Sequence, residues 1–334
     1  LFLEEFLHNE AFDRKPSALE PLMATIPSVI THRSIVGISA VLLPFHADGE
    51  IDFDSYSNGL ERTWTCGLTP AVNMDTGFAN LLSRAQRHQV LSFVQAQAAG
   101  RPFVAGTFVQ DLPGDLLANY LEESGRIEAA GGVPILFQST GLSQLDAPKR
   151  MAIYEKVCSE RKEVIGFELG KMFVPFGEIY DLGFFTEWIQ IPTLTGIKHS
   201  SLSRDLEWQR LDIRNRVRPN FKIYTGNDLA IDMVQWGSDY LLGLSAFYPE
   251  AFALRDRFWL EGDRRFYEIN DWLQYLGFLA FRNPVPAYKH NCAMFLQMRG
   301  VIASDTQPKG AALRPDSDRD LLRGILQRLD ELVS

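Results

Sequence analysis

Leu194-Thr195-Gly196-Ile197-Lys198-His199-Ser200-Ser201 is a short apolar strand that runs into a lysine and then into small polar residues. Pro192 stands just before it, and Asp205 opens the helical pattern behind it. A lone lysine at the end of an apolar strand is a candidate amine nucleophile. Desolvation disfavours the ammonium form, and the free amine can attack a carbonyl to form a Schiff base. The same spelling also suits a solvated lysine in a surface ion pair, so the surrounding chain has to choose between them.

Outward from this stretch, runs of strand length alternate with runs of helical period. Strands are expected over 36–43, 69–74, 103–108, 133–138, 163–168, 194–198, 221–225 and 240–244. Helices are expected near 52–66, 82–99, 113–130, 146–160, 177–189, 203–216, 228–236 and 248–258. Eight evenly spaced βα units predict an α/β fold, a (β/α)8 TIM barrel. An open doubly wound sheet alternates in the same way and is the competing architecture. Beyond the alternation, 267–281, 284–298 and 317–333 read as further helices, a C-terminal helical appendage. The expected division is an N-terminal arm (1–33), the barrel (34–260) and the C-terminal helical region (261–334). Within the arm, residues 1–12 have the spacing of a short amphipathic helix.

The totals narrow the class of function. Of 334 residues, 46% are hydrophobic and 22% charged, which suits one large globular unit. A net charge of −9 argues against nucleic-acid and anionic-membrane partners. Cys66, Cys158 and Cys292 are far apart and match no metal spacing, so a reducing, cytoplasmic setting is expected. No apolar run has the length of a membrane span, and the acidic start lacks the basic region of a signal peptide.

In such a barrel the chemistry sits at the C-terminal ends of the strands. Those ends collect Asp75, Thr76, Gly77, Gln110, Gln138, Ser139, Phe167, Glu168, Lys198, Asn227, Asp228, Gly243 and Ser245. The mouth is therefore expected to be polar, with room for a hydroxylated organic acid.

Several of these residues are also spelled as in a known family. The opening Gly37-Ile38-Ser39-Ala40-Val41-Leu42-Leu43-Pro44-Phe45 and the following Asp48-Gly49-Glu50-Ile51-Asp52 look like its first strand and loop. Gly196-Ile197-Lys198 has its G-x-K setting, Gly226-Asn227-Asp228 its Gly-x-Asp at the seventh strand, and Asn283-Pro284-Val285-Pro286 its approach to the C-terminal helices. From about Ile35 to Met298 the chain resembles the dihydrodipicolinate synthase / N-acetylneuraminate lyase group, the class I Schiff-base aldolases. The resemblance implies a 2-keto acid, usually pyruvate, bound as an imine on Lys198. It implies no metal and no cofactor, and a homotetramer or homodimer. The iminium is an electron sink, so a bond beta to it can be made or broken while a nearby hydroxyl or carboxylate moves the proton.

The departures are specific. Where the family has Gly-Thr-Thr-Gly-Glu, this chain has Met74-Asp75-Thr76-Gly77-Phe78. Thr76 and Gly77 would still hold a carboxylate, but Asp75 would repel one. The proton-relay tyrosine of the fifth strand is replaced by Phe167, and Gln138 and Ser139 lie near the place of the fourth-strand tyrosines. Glu168 is the substitute acid/base if it enters the barrel; by strand alternation it points outward instead. Lys171 is a candidate carboxylate partner. His199, next to Lys198, should face the other way. Tyr248 and Tyr288 could each lend a hydroxyl or only pack. Asp228 either binds the ligand or caps the helix after it.

The sequence thus predicts a Schiff-base lyase, aldolase or dehydratase acting on a 2-keto acid, pyruvate-type or sugar-derived. Lys198 and Glu168 would be catalytic, and Asp75, Thr76, Gly77, Phe167, Gln138, Asp228 and Gly243 would bind substrate. It would not be a standard dihydrodipicolinate synthase. The alternative is a catalytically degenerate barrel that binds a sugar acid or a protein partner.

Overall fold

A computed structural model describes residues 26–334. The short helix expected over 1–12 lies outside the described residues. The eight strands are β1 (Gly37–Ala40), β2 (Thr69–Val72), β3 (Val104–Thr107), β4 (Val133–Leu136), β5 (Val164–Leu169), β6 (Leu194–Ser200), β7 (Lys222–Thr225) and β8 (Asp239–Leu242). Each pairs in parallel with its sequence neighbours, and β1 pairs with β8, so the sheet closes. Closure removes the open-sheet alternative.

Most strands are only four residues long and buried along their length. Parallel strands covered on both faces read as apolar runs rather than as an alternation, which is why the sequence located them. The helices α1 (Phe53–Thr65), α2 (Arg84–Ala98), α3 (Leu116–Ala129), α4 (Thr140–Ser143), α5 (Ala147–Ser159), α6 (Leu182–Trp188), α7 (Arg204–Val217) and α8 (Pro249–Glu261) lie between and after them. Asp52, Ser83, Asp115, Asp146, Asp181 and Ser203 open α1, α2, α3, α5, α6 and α7. Each side chain accepts a hydrogen bond from a first-turn amide that would otherwise lack a partner.

Two expected helices are shorter than the sequence suggested. The segment at 177–189 becomes helical only at Leu182, where Asp181 supplies the cap. The segment at 228–236 is a tight helix of six residues, Ile231–Trp236, closed by Gly237 at φ +106. The appendage is formed by α9 (Arg265–Ala280), α10 (Tyr288–Met298) and α11 (Asp318–Val333). Pro284 and Pro286 hold residues 285–287 in a tight turn, so α10 starts at Tyr288 rather than at 284.

The barrel interior is filled by Ile38, Ala40, Ala71, Val104, Ile135, Ile165 and Leu241. A second layer of core lies between strands and helices. Leu273, Phe295 and Leu322 of the appendage pack in the same cluster as Leu42, Val72 and Leu91 of the barrel. This shared core fixes α10 over the barrel mouth. Residues 30–33 are tied near β8: the Ile30 amide donates to the Gln235 carbonyl, and Arg33 pairs with Asp239.

Candidate active site

Parity in β5 and β6 sorts the key residues. Phe167 of β5 is in register with Lys198 of β6, and Glu168 with His199. Lys198 is in turn level with Tyr224 of β7. Since successive side chains point to opposite faces, Phe167, Lys198 and Tyr224 turn into the barrel, and Glu168 and His199 turn out towards the helices.

This corrects the expected role of Glu168. Its carboxylate is fully buried behind the strand, outside the cavity. It accepts hydrogen bonds from both Arg210 nitrogens that face it, from His199 Nδ1 at 2.7 Å and from the Tyr180 amide at 3.0 Å. Burial works against its charge, but Arg210 and His199 outweigh burial and hold the carboxyl down at about 2. His199 Nε2 faces Ser201 Oγ at 2.6 Å, and burial keeps the imidazole below its ordinary value. Outward-facing His199 agrees with the sequence expectation.

Phe167 and Lys198 line a cavity of about 210 Å3 at the C-terminal barrel end, and Tyr224 packs in the barrel core. Asp75, Thr76, Gln138, Phe167, Lys198, Asp228 and Gly243 all reach it. Gly77 does not line it, and its amide is committed to the Met74 carbonyl. Lys171 is exposed and outside the cavity. Tyr248 is also elsewhere, donating to Asp330.

Lys198 is half-buried, with Nζ 4.6 Å from the centre of the Phe167 ring. Among the described residues no carboxylate forms an ion pair with it. Burial lowers the ammonium below its ordinary value, against the opposing pull of Asp228 and Asp75. The stem passes close to the end of β7. A Cβ on Gly226 would lie 2.7 Å from Lys198 Cε and 2.1 Å from Ser200 Oγ. Only glycine leaves that path open.

Asp228 faces the same cavity. Its Oδ1 accepts from the Leu244 amide at 2.7 Å, which anchors it across the ends of β7 and β8. Burial raises its carboxyl to about 7, although the Leu244 amide, Lys198 and the Gly243 amide pull the other way. The helical turn Ile231–Trp236 has no side-chain cap; Asn227 Oδ1 instead accepts from the Leu229 amide and closes the turn before it.

The appendage contributes two residues that sequence order hides. Tyr288 Oη lies 2.8 Å from Thr76 Oγ1 and donates to Asp75 Oδ2 at 3.0 Å. Lys289, itself buried, pairs with Asp75 Oδ1 at 2.9 Å. Asp75 keeps 61% of its side chain exposed at the cavity. The surrounding protein disfavours its charge, but the Lys289 ammonium and the bonds from Lys289 and Tyr288 prevail, and the carboxyl sits below its ordinary value. The repulsive Asp75 of the sequence is thus an ion-paired Asp75. The i, i+213 and i, i+214 separations leave no local signal; the sequence offers Tyr288 as a possible hydroxyl without a partner and gives no hint of Lys289.

The mouth is also less polar than expected. Phe108, Phe137, Phe173, Phe176, Met172 and Phe281 are among its lining residues. The polar strand-end residues are used elsewhere. Gln138 bonds the Glu178 backbone with both its amide oxygen and its amide nitrogen, and Ser139 caps α4.

Known proteins share this architecture. A family profile described as "Protein of unknown function (DUF993)" matches residues 35–312. The chain belongs to this family. It is also a divergent relative of the dihydrodipicolinate synthases. The 4-hydroxy-tetrahydrodipicolinate synthase of Kosmotoga olearia is 28% identical over 233 residues, covering 67% of this chain and 75% of that protein. That of Azoarcus sp. is 25% identical over 58% of this chain and 64% of that protein. Among solved structures, YagE of E. coli K12, a prophage protein of the dihydrodipicolinic acid synthase family in complex with pyruvate, superposes with TM-score 0.74 at 17% identity, covering 88% of this chain and 98% of that one. Dihydrodipicolinate synthase of Thermotoga maritima superposes with TM-score 0.73 at 16% identity, covering 89% and 99%. These superpositions establish the shared fold. Among the described residues no helix is long and apolar enough to cross a membrane, and no three or more His, Cys, Asp or Glu side chains are grouped to hold a metal ion.

Proposed function

We propose that this DUF993 protein is a Schiff-base lyase that cleaves or dehydrates a 2-keto acid bound as an imine on Lys198. The observation that carries the proposal is the contrast between the two cavity lysines. Lys289 is neutralised by Asp75, whereas Lys198 is desolvated and has no carboxylate in ion-pair contact. A lysine in the second setting gives up its proton more readily than an ordinary lysine, and the free amine is the form that attacks a ketone.

The Lys198 amine adds to the substrate C2 carbonyl, and loss of water gives the iminium. The substrate carboxylate sits between the Thr76 hydroxyl and the Lys289 ammonium, sharing Lys289 with Asp75. Asp228, with a carboxyl near 7, is the proton carrier. In cleavage it takes the proton of a C4 hydroxyl. The C3–C4 bond breaks, its electron pair flows into the iminium, and an aldehyde leaves. The enamine is then protonated at C3, and water releases the keto acid from Lys198. In dehydration Asp228 takes a C3 proton instead, and a β-hydroxyl leaves as water. Tyr288, kept protonated by burial and by the Asp75 carboxylate it donates to, lies 2.8 Å from the Thr76 hydroxyl and can give up its proton to the departing hydroxyl once that bond to Asp75 is exchanged. It supplies a phenol at the site where Phe167 cannot. The wiring differs from the family's sequence pattern, so the reaction is not taken to be dihydrodipicolinate synthesis.

The three cysteines are all free, which suits a cytoplasmic enzyme. On α9, Tyr267, Tyr275 and Phe278 are 52%, 53% and 55% exposed, an apolar stripe fit for a homodimer or homotetramer contact.

Pyruvate alone tests the chemistry. In D2O the enamine exchanges the methyl protons of pyruvate, which proton NMR follows directly. Exchange that requires Lys198 and Asp228, and survives Lys289→Ala at saturating pyruvate, is the expected result. Equal exchange by Lys198→Ala would refute the proposal.

A further inference from the structure

The cavity has two unlike halves. Lys198, Asp228, Thr76, Asp75, Tyr288 and Lys289 come from β2, β6, β7 and the appendage and form the polar half. Opposite them, the ends of three consecutive strands each present a phenylalanine. Phe108, Phe137 and Phe167 form a row of edge-to-face contacts, with centroids 6.2 Å and 5.3 Å apart. The loop after β5 extends this wall with Phe173 and Phe176. Among the described residues no arginine lines the cavity, and the amide of Gln138 is already bonded to the Glu178 backbone.

A polyhydroxylated chain extending from C4 of the keto acid would meet this wall with its hydroxyls unpaired. Buried polar groups without partners are strongly disfavoured. An aromatic or branched apolar group would instead gain edge and face contacts with the row. The volume sets a size. An apolar cavity of about 150 Å3 accommodates benzene, and this one measures about 210 Å3 and opens at its mouth. That leaves room for one ring or a compact branched group, with the three-carbon head on the polar half.

We infer that the substrate is a 4-hydroxy-2-oxo acid carrying a single aryl or branched alkyl group at C4, cleaved to pyruvate and the corresponding apolar aldehyde. This inference rests on the imine reading and narrows its substrate class away from sugar-derived acids. In the step, the C4–OH proton passes to Asp228, the C3–C4 bond breaks, and C4 leaves as the aldehyde carbonyl. No external oxidant or reductant takes part.

The test compares kcat/KM of the full-length protein for three 4-hydroxy-2-oxo acids bearing phenyl, isopropyl or 1,2-dihydroxyethyl at C4. Pyruvate methyl exchange is measured on the same preparation. The expected result is measurable pyruvate exchange and a preference of about 100-fold for phenyl or isopropyl over dihydroxyethyl, the scale on which pockets separate such groups. Phe137→Asn and Phe108→Ser, with folding verified by circular dichroism, should reduce that preference at least tenfold while pyruvate exchange persists. Exchange with equal or better cleavage of the dihydroxyethyl acid would overturn the inference and leave the imine reading standing. Absence of both exchange and cleavage would overturn both.

Discussion

Glu168→Gln separates the two roles that a glutamate in this strand can play. In the structure the Glu168 carboxylate is the counter-charge of Arg210, whose side chain is 1% exposed. Its carboxyl is held at about 2 against an ordinary 4.5, and a depression of that size corresponds to roughly 3 kcal/mol of folded-state stabilisation. Removing one partner of a buried pair strands the other, at about 3–5 kcal/mol. Gln would also set an amide donor against either the guanidinium or His199, which are donors themselves. Urea denaturation should therefore show a lowered midpoint, with a loss of about 3 kcal/mol or more.

The pH dependence has a definite sign. A carboxyl depressed on folding contributes stability above its unfolded value and loses it as pH falls through the folded one. The wild-type advantage over Glu168→Gln should thus be complete above pH 4.5 and vanish between 4.5 and about 2. Replacing both partners by Met should recover much of the loss, because apolar isosteres avoid the desolvation penalty. If Glu168→Gln kept wild-type stability and abolished pyruvate exchange, the carboxylate would be acting in the chemistry, and the assignment of sides to β5 would be wrong.

Other outcomes follow from the same geometry. Asp228→Asn should slow pyruvate exchange by about 10²–10⁴-fold, as loss of a proton carrier does. In the wild type the rate should climb as Asp228 ionises near pH 7, and the pH–rate profile of the Asn variant should lack that limb. Gly226→Ala should reduce exchange by about 100-fold or more through misplacement of the amine, since the new methyl falls 2.7 Å from Lys198 Cε; circular dichroism checks that the barrel stays folded. Asp75→Asn frees the Lys289 ammonium and should lower the pyruvate KM several-fold, whereas Lys289→Ala should raise it. Tyr275→Glu combined with Phe278→Glu places charge on the exposed stripe of α9, and sedimentation should register a smaller species than the wild type.

The parts of the fold that the sequence disclosed are those governed by local rules. Parallel strands covered on both sides must be apolar runs, and helices that follow them start at Asp or Ser because their first amides need acceptors. Lys198 was legible as a lone lysine ending an apolar strand, and Gly226 through the Gly-x-Asp resemblance; the tight approach of Gly226 to the lysine stem is visible only in the fold. Three features were not legible. The facing of Glu168 depends on the parity of one strand, and a single residue of slip reverses it. The Tyr288–Thr76 and Lys289–Asp75 contacts join residues more than two hundred positions apart, so no spacing announces them. The apolar wall is hidden in the sequence because polar letters at strand ends read as cavity groups. Gln138, Ser139 and Asn227 in fact satisfy backbone amides or carbonyls beside the mouth, and the phenylalanines fill the space.

Borohydride reduction in the presence of pyruvate, read by intact mass and peptide mapping, tests the central claim most directly. The account predicts one reduced pyruvyl adduct per chain, on Lys198, absent from Lys198→Ala and retained in Lys289→Ala. A folded protein that gives no adduct, or an adduct mapped to Lys289, would contradict it.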